Sequence, residues 1–231
     1  MGDGTGALIT KLLLQNLLWV AGMGALLCLA AGTLRWPALW VFLSTVAISG
    51  VGCGAWLARV DPALLAERMR PVMQPDQPAA DKVFMLVFGC ASLLWFVAMG
   101  LERRLHPSDI PQALQVLGLA MLLASTGFIL WVMRTNSFAA PVVKVQAERG
   151  HHVISTGPYA LVRHPMYSGA VLFCFGTALL LGSWWGLLIS PVFAVLFAVR
   201  TGIEERALRA DLPGYADYAA RVRYRLFPGL W

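Results

Sequence analysis

Residues 169–200 read "GAVLFCFGTALLLGSWWGLLISPVFAVLFAVR", with no charged side chain before the terminal Arg200. Apolar runs of this kind indicate helices that lie within a membrane. Gly182-Ser183 divides the stretch into two runs, at about 167–182 and 184–200. Gly and Ser between two periodic segments favour a tight turn. The stretch therefore predicts two apolar helices that form a hairpin.

The rest of the chain has the composition of an integral membrane protein. Of its 231 residues, 58% are hydrophobic and 13% are charged, with a mean hydropathy of +0.68. Soluble domains carry roughly 25% charged residues. Four further apolar runs have the length of a spanning helix, at about 9–31, 38–58, 83–101 and 112–133. The sequence predicts an all-α, polytopic membrane helix bundle with about six transmembrane segments, of which the last two form the hairpin.

The basic residues are distributed unevenly between the two sides of the predicted bundle. Fifteen of the 18 Lys and Arg residues fall on the side that holds both termini, and only Arg35, Arg103 and Arg104 fall on the other. By the positive-inside rule, both termini are expected in the cytoplasm. This distribution also accounts for the net charge of +6, so no nucleic-acid partner is expected.

A polar stretch, "GHHVISTGPYALVRHPMYSG" at residues 150–169, comes directly before the hairpin. Arg163-His164-Pro165 would begin the fifth spanning helix, because Pro is favoured at the first helical position. Free backbone N–H groups and the helix dipole favour an anionic group there, with Tyr159 and Tyr167 nearby for stacking or hydrogen bonding. Alternatively, Arg163 and His164 only solvate the helix end or touch lipid headgroups.

A second polar cluster follows the last apolar run. Arg200 and Glu204 are spaced i,i+4 and share a helical face, and an ionisable group at the membrane edge is a functional candidate. Glu205 with Arg209 is interpreted as solvated helix surface. Two crossings separate this cluster from the polar loop at about 134–165, so both are expected on the cytoplasmic side, where they form one site. The tail after the cluster is interpreted as an interfacial segment that contacts anionic lipid or covers the site.

Other catalytic motifs are absent from the sequence. No HExxH motif or carboxylate-bridged histidine cluster is present, so no metal site is expected. There is no G-x-S-x-G elbow and no G-x-G-x-x-G after a strand. The four cysteines all fall within predicted spans without C-x-x-C spacing and are interpreted as small packing residues.

At the two polar clusters the chain resembles the isoprenylcysteine carboxyl methyltransferase family, which is related to membrane phospholipid N-methyltransferases. The resemblance covers about residues 134–231 and rests on "GPYALVRHPMYSG", "LGSWW", "RTGIEE" and "LPGYADYAARVRYRLFPGLW". It implies a division into N-terminal transmembrane helices, about four in residues 1–133, and a methyltransferase core in residues 134–231. The core would comprise a cytoplasmic cofactor loop, the hairpin, and a cytoplasmic C-terminal helix and tail.

The resemblance also implies S-adenosylmethionine as cofactor and assigns site residues. Arg200 would bind the methyl acceptor, and Glu204 would contact the cofactor; both are expected to be catalytic. Either Lys144 or Gln146 takes the place of a family glutamine, because the ungapped match puts Lys144 there and Gln146 lies two residues on. The remaining expected cofactor contacts are His151, His152, Val153, Ile154, Tyr159, His164, Pro165, Met166 and Tyr167.

The function expected on this basis is carboxyl O-methylation of a small or lipid-like acceptor of the isoprenylcysteine type. Methyl transfer mainly requires that donor and acceptor be aligned and water excluded, and Arg200 could hold an acceptor carboxylate bidentately. Amine N-methylation of phospholipids and thiol S-methylation remain alternatives, as does a non-enzymatic transporter or lipid-binding protein. Membrane lipids are expected contacts, and nothing indicates an obligate protein partner.

Overall fold

The protein is an all-helical, multi-pass membrane protein whose computed structural model describes residues 3–75 and 77–231. The described residues contain no β-strand. Residues 136–164, here called the connector, join α5 to α6 and contain two short 3₁₀ helices. The α-helices are α1 (Asp3–Ala31), α2 (Pro37–Val60), α3 (Pro62–Arg68), α4 (Ala79–Leu105), α5 (Gln112–Thr135), α6 (Pro165–Leu180), α7 (Trp184–Asp211) and α8 (Tyr215–Arg221).

Within the described residues, five helices are long and apolar enough to cross a membrane: α1, α2, α4, α5 and α7. The apolar helix α6 has 16 residues, which at ~1.5 Å per residue is shorter than the ~30 Å hydrocarbon core of a bilayer. The predicted helical bundle is therefore confirmed, with α6 as its short member. The last apolar helix, α7, continues without a break beyond its apolar part to Asp211.

The hairpin between α6 and α7 forms where the sequence predicts it. Gly182 adopts a left-handed backbone conformation, with φ of +70°, which costs glycine little because it has no Cβ. The next residue, Ser183, is the N-cap of α7 and accepts a 2.8 Å hydrogen bond from the backbone N–H of Gly186. The turn therefore reverses the chain within three residues and starts the next helix at once.

Two glycines set the packing of α6 on α5. A Cβ on Gly118 would lie 2.4 Å from the backbone nitrogen of Leu180, and one on Gly176 would lie 3.0 Å from the carbonyl oxygen of Gly118. Real Cβ atoms essentially never come within 2.4 Å of backbone, and 3.0 Å is tighter than most of their contacts, so the two helices touch backbone to backbone here. Small residues allow this approach between membrane helices, where dispersion contacts provide much of the packing energy.

The aromatic core fixes the long helices against the hairpin. Trp95 of α4 is buried, its ring lies 5.0 Å from that of Phe193 of α7, and its indole N–H donates to the carbonyl of Gly186 at 2.8 Å. Phe42 of α2 and Phe96 of α4 are also buried, with ring centroids 6.2 Å apart. Tilted aromatic pairs of this kind add about 0.5–1.5 kcal/mol beyond the area that they bury.

Glu102, near the end of α4, anchors the turn of the hairpin at the bundle end opposite the connector. It is 3% exposed and accepts hydrogen bonds from the backbone N–H groups of Trp184 and Trp185, at 3.1 and 3.0 Å. The hydroxyls of Ser108 and Ser183 also donate to its carboxylate. The first N–H groups of a helix have no partner within the helix, and a carboxylate there interacts favourably with the helix dipole.

We predict that Glu102→Ala destabilises the protein. Two backbone N–H groups in the first turn of α7 would lose a charged acceptor, and hydrogen bonds to charged groups are worth about 1.5–3 kcal/mol each. Thermal unfolding in detergent should show a lower midpoint for Glu102→Ala than for the exposed-site control Glu148→Ala. Equal midpoints for the two variants would contradict this role of Glu102.

Candidate functional site

A cavity lies between the connector, the start of α6, the end of α7 and α8. Its wall contains most of the residues that the sequence singles out: Lys144, His151, His152, Val153, Ile154, Tyr159, His164, Met166, Tyr167 and Glu204. Three expected residues, Gln146, Pro165 and Arg200, are not among the residues that line it. The two polar clusters, which are far apart in sequence, thus meet around one cavity.

Glu204 presents a carboxylate to this cavity. Its Oε2 accepts a hydrogen bond from the Tyr167 hydroxyl at 2.6 Å and lies 3.4 Å from Nδ1 of His164. The other oxygen, Oε1, has no hydrogen-bond partner among the described residues, and 28% of the side chain is exposed. A carboxylate that is anchored on one side and open on the other can accept hydrogen bonds from a cationic ligand.

His164 connects this carboxylate to a second one. Its side chain is buried, and Nε2 lies 3.4 Å from Oε1 of Glu205 and 3.5 Å from the Tyr215 hydroxyl. Burial alone would lower the pKa of His164, but the neighbouring carboxylates of Glu204 and Glu205 outweigh it and raise this pKa above its usual value. His164 therefore lies between Glu204 and Glu205 and contacts both carboxylates.

The expectation that Glu205 and Arg209 form a solvated surface is wrong for Glu205, which is 4% exposed, whereas Arg209 is exposed. Glu205 pairs instead with Nε of Arg163 at 2.5 Å and Nε of Arg225 at 3.2 Å. The i,i+4 spacing suggested a surface pair of Glu205 with Arg209. Both true partners of Glu205 lie on distant segments of the chain, where local spacing gives no sign of them. A buried carboxylate needs such partners, since its desolvation costs several kcal/mol.

Arg163, for which the sequence left contact with ligand or lipid open, lines the cavity and also binds the C-terminal tail. Its Nη1 donates to the carbonyls of Val222 and Arg223 at 2.6 and 2.8 Å. The backbone N–H groups of Arg163 and His164 donate to the carbonyls of Tyr224 and Arg225, at 3.0 and 2.9 Å. These bonds hold the tail along the connector beside the cavity.

Arg200 has a partner that the sequence reasoning missed. It forms no ion pair with Glu204; its Nε lies 3.1 Å from Oδ1 of the fully buried Asp81, and its Nη2 donates to the carbonyl of Pro141. The guanidinium carbon lies 5.7 Å from the centre of the Tyr167 ring. Tyr167 thus touches both Arg200 and Glu204. The feature of the sequence that could have indicated this partner was Asp81, an acidic residue in the first turn of a spanning helix.

Lys144 and Gln146 have different surroundings. Lys144 lines the cavity, but its Nζ lies 2.5 Å from Oε1 of Glu67 and donates to Oε1 of Gln74 at 3.0 Å. Gln146 is fully buried, and its side-chain amide donates to the carbonyl of Phe138 at 2.9 Å. Lys144 therefore borders the cavity, whereas Gln146 supports the fold of the connector behind it.

Aromatic rings form another part of the wall. His151 stacks on Phe138 with ring centroids 4.4 Å apart, and its Nδ1 accepts a hydrogen bond from the backbone N–H of Gln146 at 3.3 Å. Burial and the neighbouring His152 lower the pKa of His151 to about 4. Burial raises the pKa of Tyr159, whose hydroxyl accepts a hydrogen bond from the Asn136 amide at 2.9 Å. Both rings are therefore uncharged near neutral pH.

The lowered pKa of His151 predicts that acid opens the connector. Neutral His151 contributes fully to the free energy of unfolding above its unfolded pKa of about 6.5. This contribution is lost as the pH falls towards the folded pKa of about 4. The loss arises because protonation of Nδ1 removes the acceptor for the backbone N–H of Gln146. Limited proteolysis should therefore cut the connector faster at acidic pH in the wild type. His151→Phe, which retains a ring beside Phe138, should show a smaller acid effect. Equal acid effects in both proteins would contradict the prediction.

Comparisons with known proteins agree with this architecture. Residues 113–211 match the family model "Phospholipid methyltransferase". A curated relative, Protein-S-isoprenylcysteine O-methyltransferase B of Arabidopsis thaliana, is 31% identical over 90 residues, which cover 35% of this chain. The chain matches about two fifths of that relative's length, 42%.

The fold is similar to that of a solved structure over most of the chain. The structure is that of the eukaryotic intramembrane Ras methyltransferase ICMT, isoprenylcysteine carboxyl methyltransferase, with a TM-score of 0.50 and 18% identity. The match covers 90% of this chain and 82% of that one. At this identity the likeness concerns the fold. The sequence matches concern part of the chain, since the family model covers residues 113–211 and the Arabidopsis relative aligns over 90 residues.

Proposed function

We propose that this protein is a membrane methyltransferase that uses S-adenosylmethionine to methylate the carboxylate of a lipid-like acceptor of the isoprenylcysteine type. The observation that carries the proposal is the position of Glu204. Its partly open carboxylate lines a cavity with aromatic walls, one helical turn beyond Arg200, which lies near the apolar part of α7. The names of the Arabidopsis relative and of the ICMT structure support the same chemistry.

The cavity residues fit the chemical groups of S-adenosylmethionine. The open oxygen of Glu204 suits the amino group of the cofactor, through a charge-assisted hydrogen bond. The uncharged rings of His151, Phe138 and Tyr159 suit an aromatic base, and a sulfonium near an aromatic face of this wall would gain a cation–π attraction of about 1 kcal/mol. When bound, this cofactor supplies a methyl group on a positively charged sulfur for in-line transfer.

The chain's own residues then have to bind the cofactor and the acceptor, align them with each other and exclude water. A carboxylate acceptor needs no general base, so the acceptor side requires a cation rather than a proton acceptor. Arg200 supplies that cation, and its Nη1 has no protein partner among the described residues. Tyr167 lies between Arg200 and Glu204 and keeps the two binding groups at a fixed separation.

The charge distribution supports a cytoplasmic site. The cavity lies at the end of the bundle where most Lys and Arg residues lie, and where a soluble cofactor would enter from the cytosol. In this orientation both termini are cytoplasmic, and the basic tail contacts anionic lipid. The division of the chain into helices 1–133 and a methyltransferase core 134–231 belongs to the same proposal.

A second candidate is methylation of a phospholipid amine, which the match to the phospholipid methyltransferase model favours. An amine acceptor would have to lose a proton before transfer, so it calls for a base and a rate that rises with pH. Arg200 argues against an amine acceptor, because a guanidinium repels a cationic headgroup.

We predict that Glu204→Gln weakens S-adenosylmethionine binding by about tenfold to a hundredfold, since hydrogen bonds to charged groups are worth about 1.5–3 kcal/mol. Isothermal titration in detergent measures the dissociation constant. The matched control Glu148→Gln removes one exposed carboxylate from the connector and should bind as the wild type does. Unchanged binding in a folded Glu204→Gln protein would overturn the assignment.

The acceptor class is tested by the stability of the methylated product. Purified protein is incubated with membrane extract and methyl-labelled S-adenosylmethionine, and the product is treated with mild base. A carboxyl methyl ester releases its label as methanol, whereas an N-methyl or S-methyl product retains it. We expect release, and retention of the label would favour the amine or thiol alternatives.

A further inference from the structure

A buried polar network connects the N-terminal helices to the candidate site. Asp81, in the first turn of α4, is 0% exposed, and its two oxygens have different partners. Oδ1 lies 3.1 Å from Nε of Arg200. Oδ2 accepts hydrogen bonds from the side-chain amide of Gln77 at 2.7 Å and the backbone N–H of Val143 at 2.9 Å. Asp81 therefore holds Arg200, the connector and the segment before α4 together.

The network continues to the cavity wall. The side-chain oxygen of Gln77 accepts from the backbone N–H of Gln74 at 3.1 Å, and the side-chain oxygen of Gln74 accepts from Nζ of Lys144 at 3.0 Å. Lys144 also pairs with Glu67 at 2.5 Å. All of these groups are buried or nearly so. The Pro-rich segment between α3 and α4 thus joins a cavity-lining lysine to the ion pair of Arg200.

The contacts of Arg200 restrict its orientation. Asp81 holds Nε and the Pro141 carbonyl holds Nη2, while the guanidinium carbon lies 5.0 Å from the Phe84 ring and 5.7 Å from the Tyr167 ring. Among the described residues, only Nη1 is left without a hydrogen-bond partner. The structure therefore presents one defined nitrogen of the guanidinium to a ligand.

We propose that Asp81 is the positioning residue of Arg200, and that Gln77 fixes the Asp81 carboxylate for this purpose. The inference rests on the proposed function, because it assigns Arg200 to the carboxylate of the acceptor. Asp81 does not touch the acceptor. It prevents the long arginine side chain from adopting other rotamers, and it offsets part of the guanidinium charge.

These two effects predict a specific kinetic pattern. Asp81→Asn has almost the same shape but no charge, so the positive charge of Arg200 is no longer offset. Asp81→Asn should therefore bind a free-acid acceptor at least as tightly as the wild type does. The ratio of its affinity for the acid to its affinity for the methyl ester should be higher than in the wild type. The turnover number should fall by about tenfold, because misalignment of a bound reactant slows transfer.

The experiment uses the full-length protein in detergent with an N-acetylated S-prenylcysteine and its methyl ester as acceptor probes. Turnover is expressed per cofactor-binding site, so that loss of folded protein does not count as loss of activity. Binding of the acid and of the ester is measured without cofactor. We expect lower turnover and a higher acid-to-ester affinity ratio in Asp81→Asn, with cofactor affinity within about twofold of the wild type.

Two further variants separate positioning from stability. Glu102→Gln alters another buried acid of α4 and should lower the unfolding temperature while leaving turnover per site unchanged. Gln77→Leu removes the hydrogen bond to Oδ2 but retains the Asp81 charge, so turnover should fall without a change in the acid-to-ester ratio. If Asp81→Asn does not fold, the loss of turnover in Gln77→Leu carries the test.

The outcomes distinguish this inference from the proposed function. Turnover per site in Asp81→Asn within twofold of an active wild type would overturn the inference and leave the function intact. A wild type that methylates neither acid nor extract acceptors would overturn the function. In that case, equal acid-to-ester ratios in the wild type and Asp81→Asn would overturn the positioning role as well, and a raised ratio in Asp81→Asn would support it.

Discussion

Four carboxylates are buried or partly buried at one end of the bundle, and each is paired with a basic side chain from another part of the chain. Glu67 pairs with Lys144, Asp81 with Arg200, Glu204 with His164 and Glu205 with Arg163. An ionised carboxylate taken out of water without a partner costs several kcal/mol. The connector, α4, α6 and α7 can therefore come together at this end only in an arrangement that satisfies all four pairs.

This constraint explains how a long connector, with only two short 3₁₀ helices among its residues, becomes the wall of a cavity. The side chains of Arg163 and His164 bind the end of α7, and the C-terminal tail accepts hydrogen bonds from the backbone of both residues and from the Arg163 side chain. Lys144 binds the segment that follows α3. Tyr167, in the first turn of α6, contacts both Glu204 and Arg200. In the proposed function, these contacts preset the distance between the cofactor site and the acceptor site, as in-line transfer requires.

The sequence was sufficient to predict the helices, but it was not sufficient to predict which charged residues pair in the interior. Long apolar runs predict spanning helices because a membrane leaves the backbone few alternatives, and Gly182-Ser183 indicated the hairpin. The resemblance assigned His164, Tyr167 and Glu204, which do share one cavity. Asp81 was missed because nothing local relates it to Arg200, which lies 119 positions away. Glu205 was assigned to the surface because its neighbour Arg209 offered a plausible local partner, whereas only the folded chain brings Arg163 and Arg225 to it.

The central claim is that the Glu204 cavity is the cofactor site, and an experimental structure with S-adenosylhomocysteine, the product form of the cofactor, tests it most directly. The account predicts that the amino group of the ligand lies within hydrogen-bond distance of the Glu204 carboxylate, with the base against the aromatic wall formed by Phe138, His151 and Tyr159. A ligand bound elsewhere in the bundle, with Glu204 still bonded only to Tyr167 and His164, would contradict it.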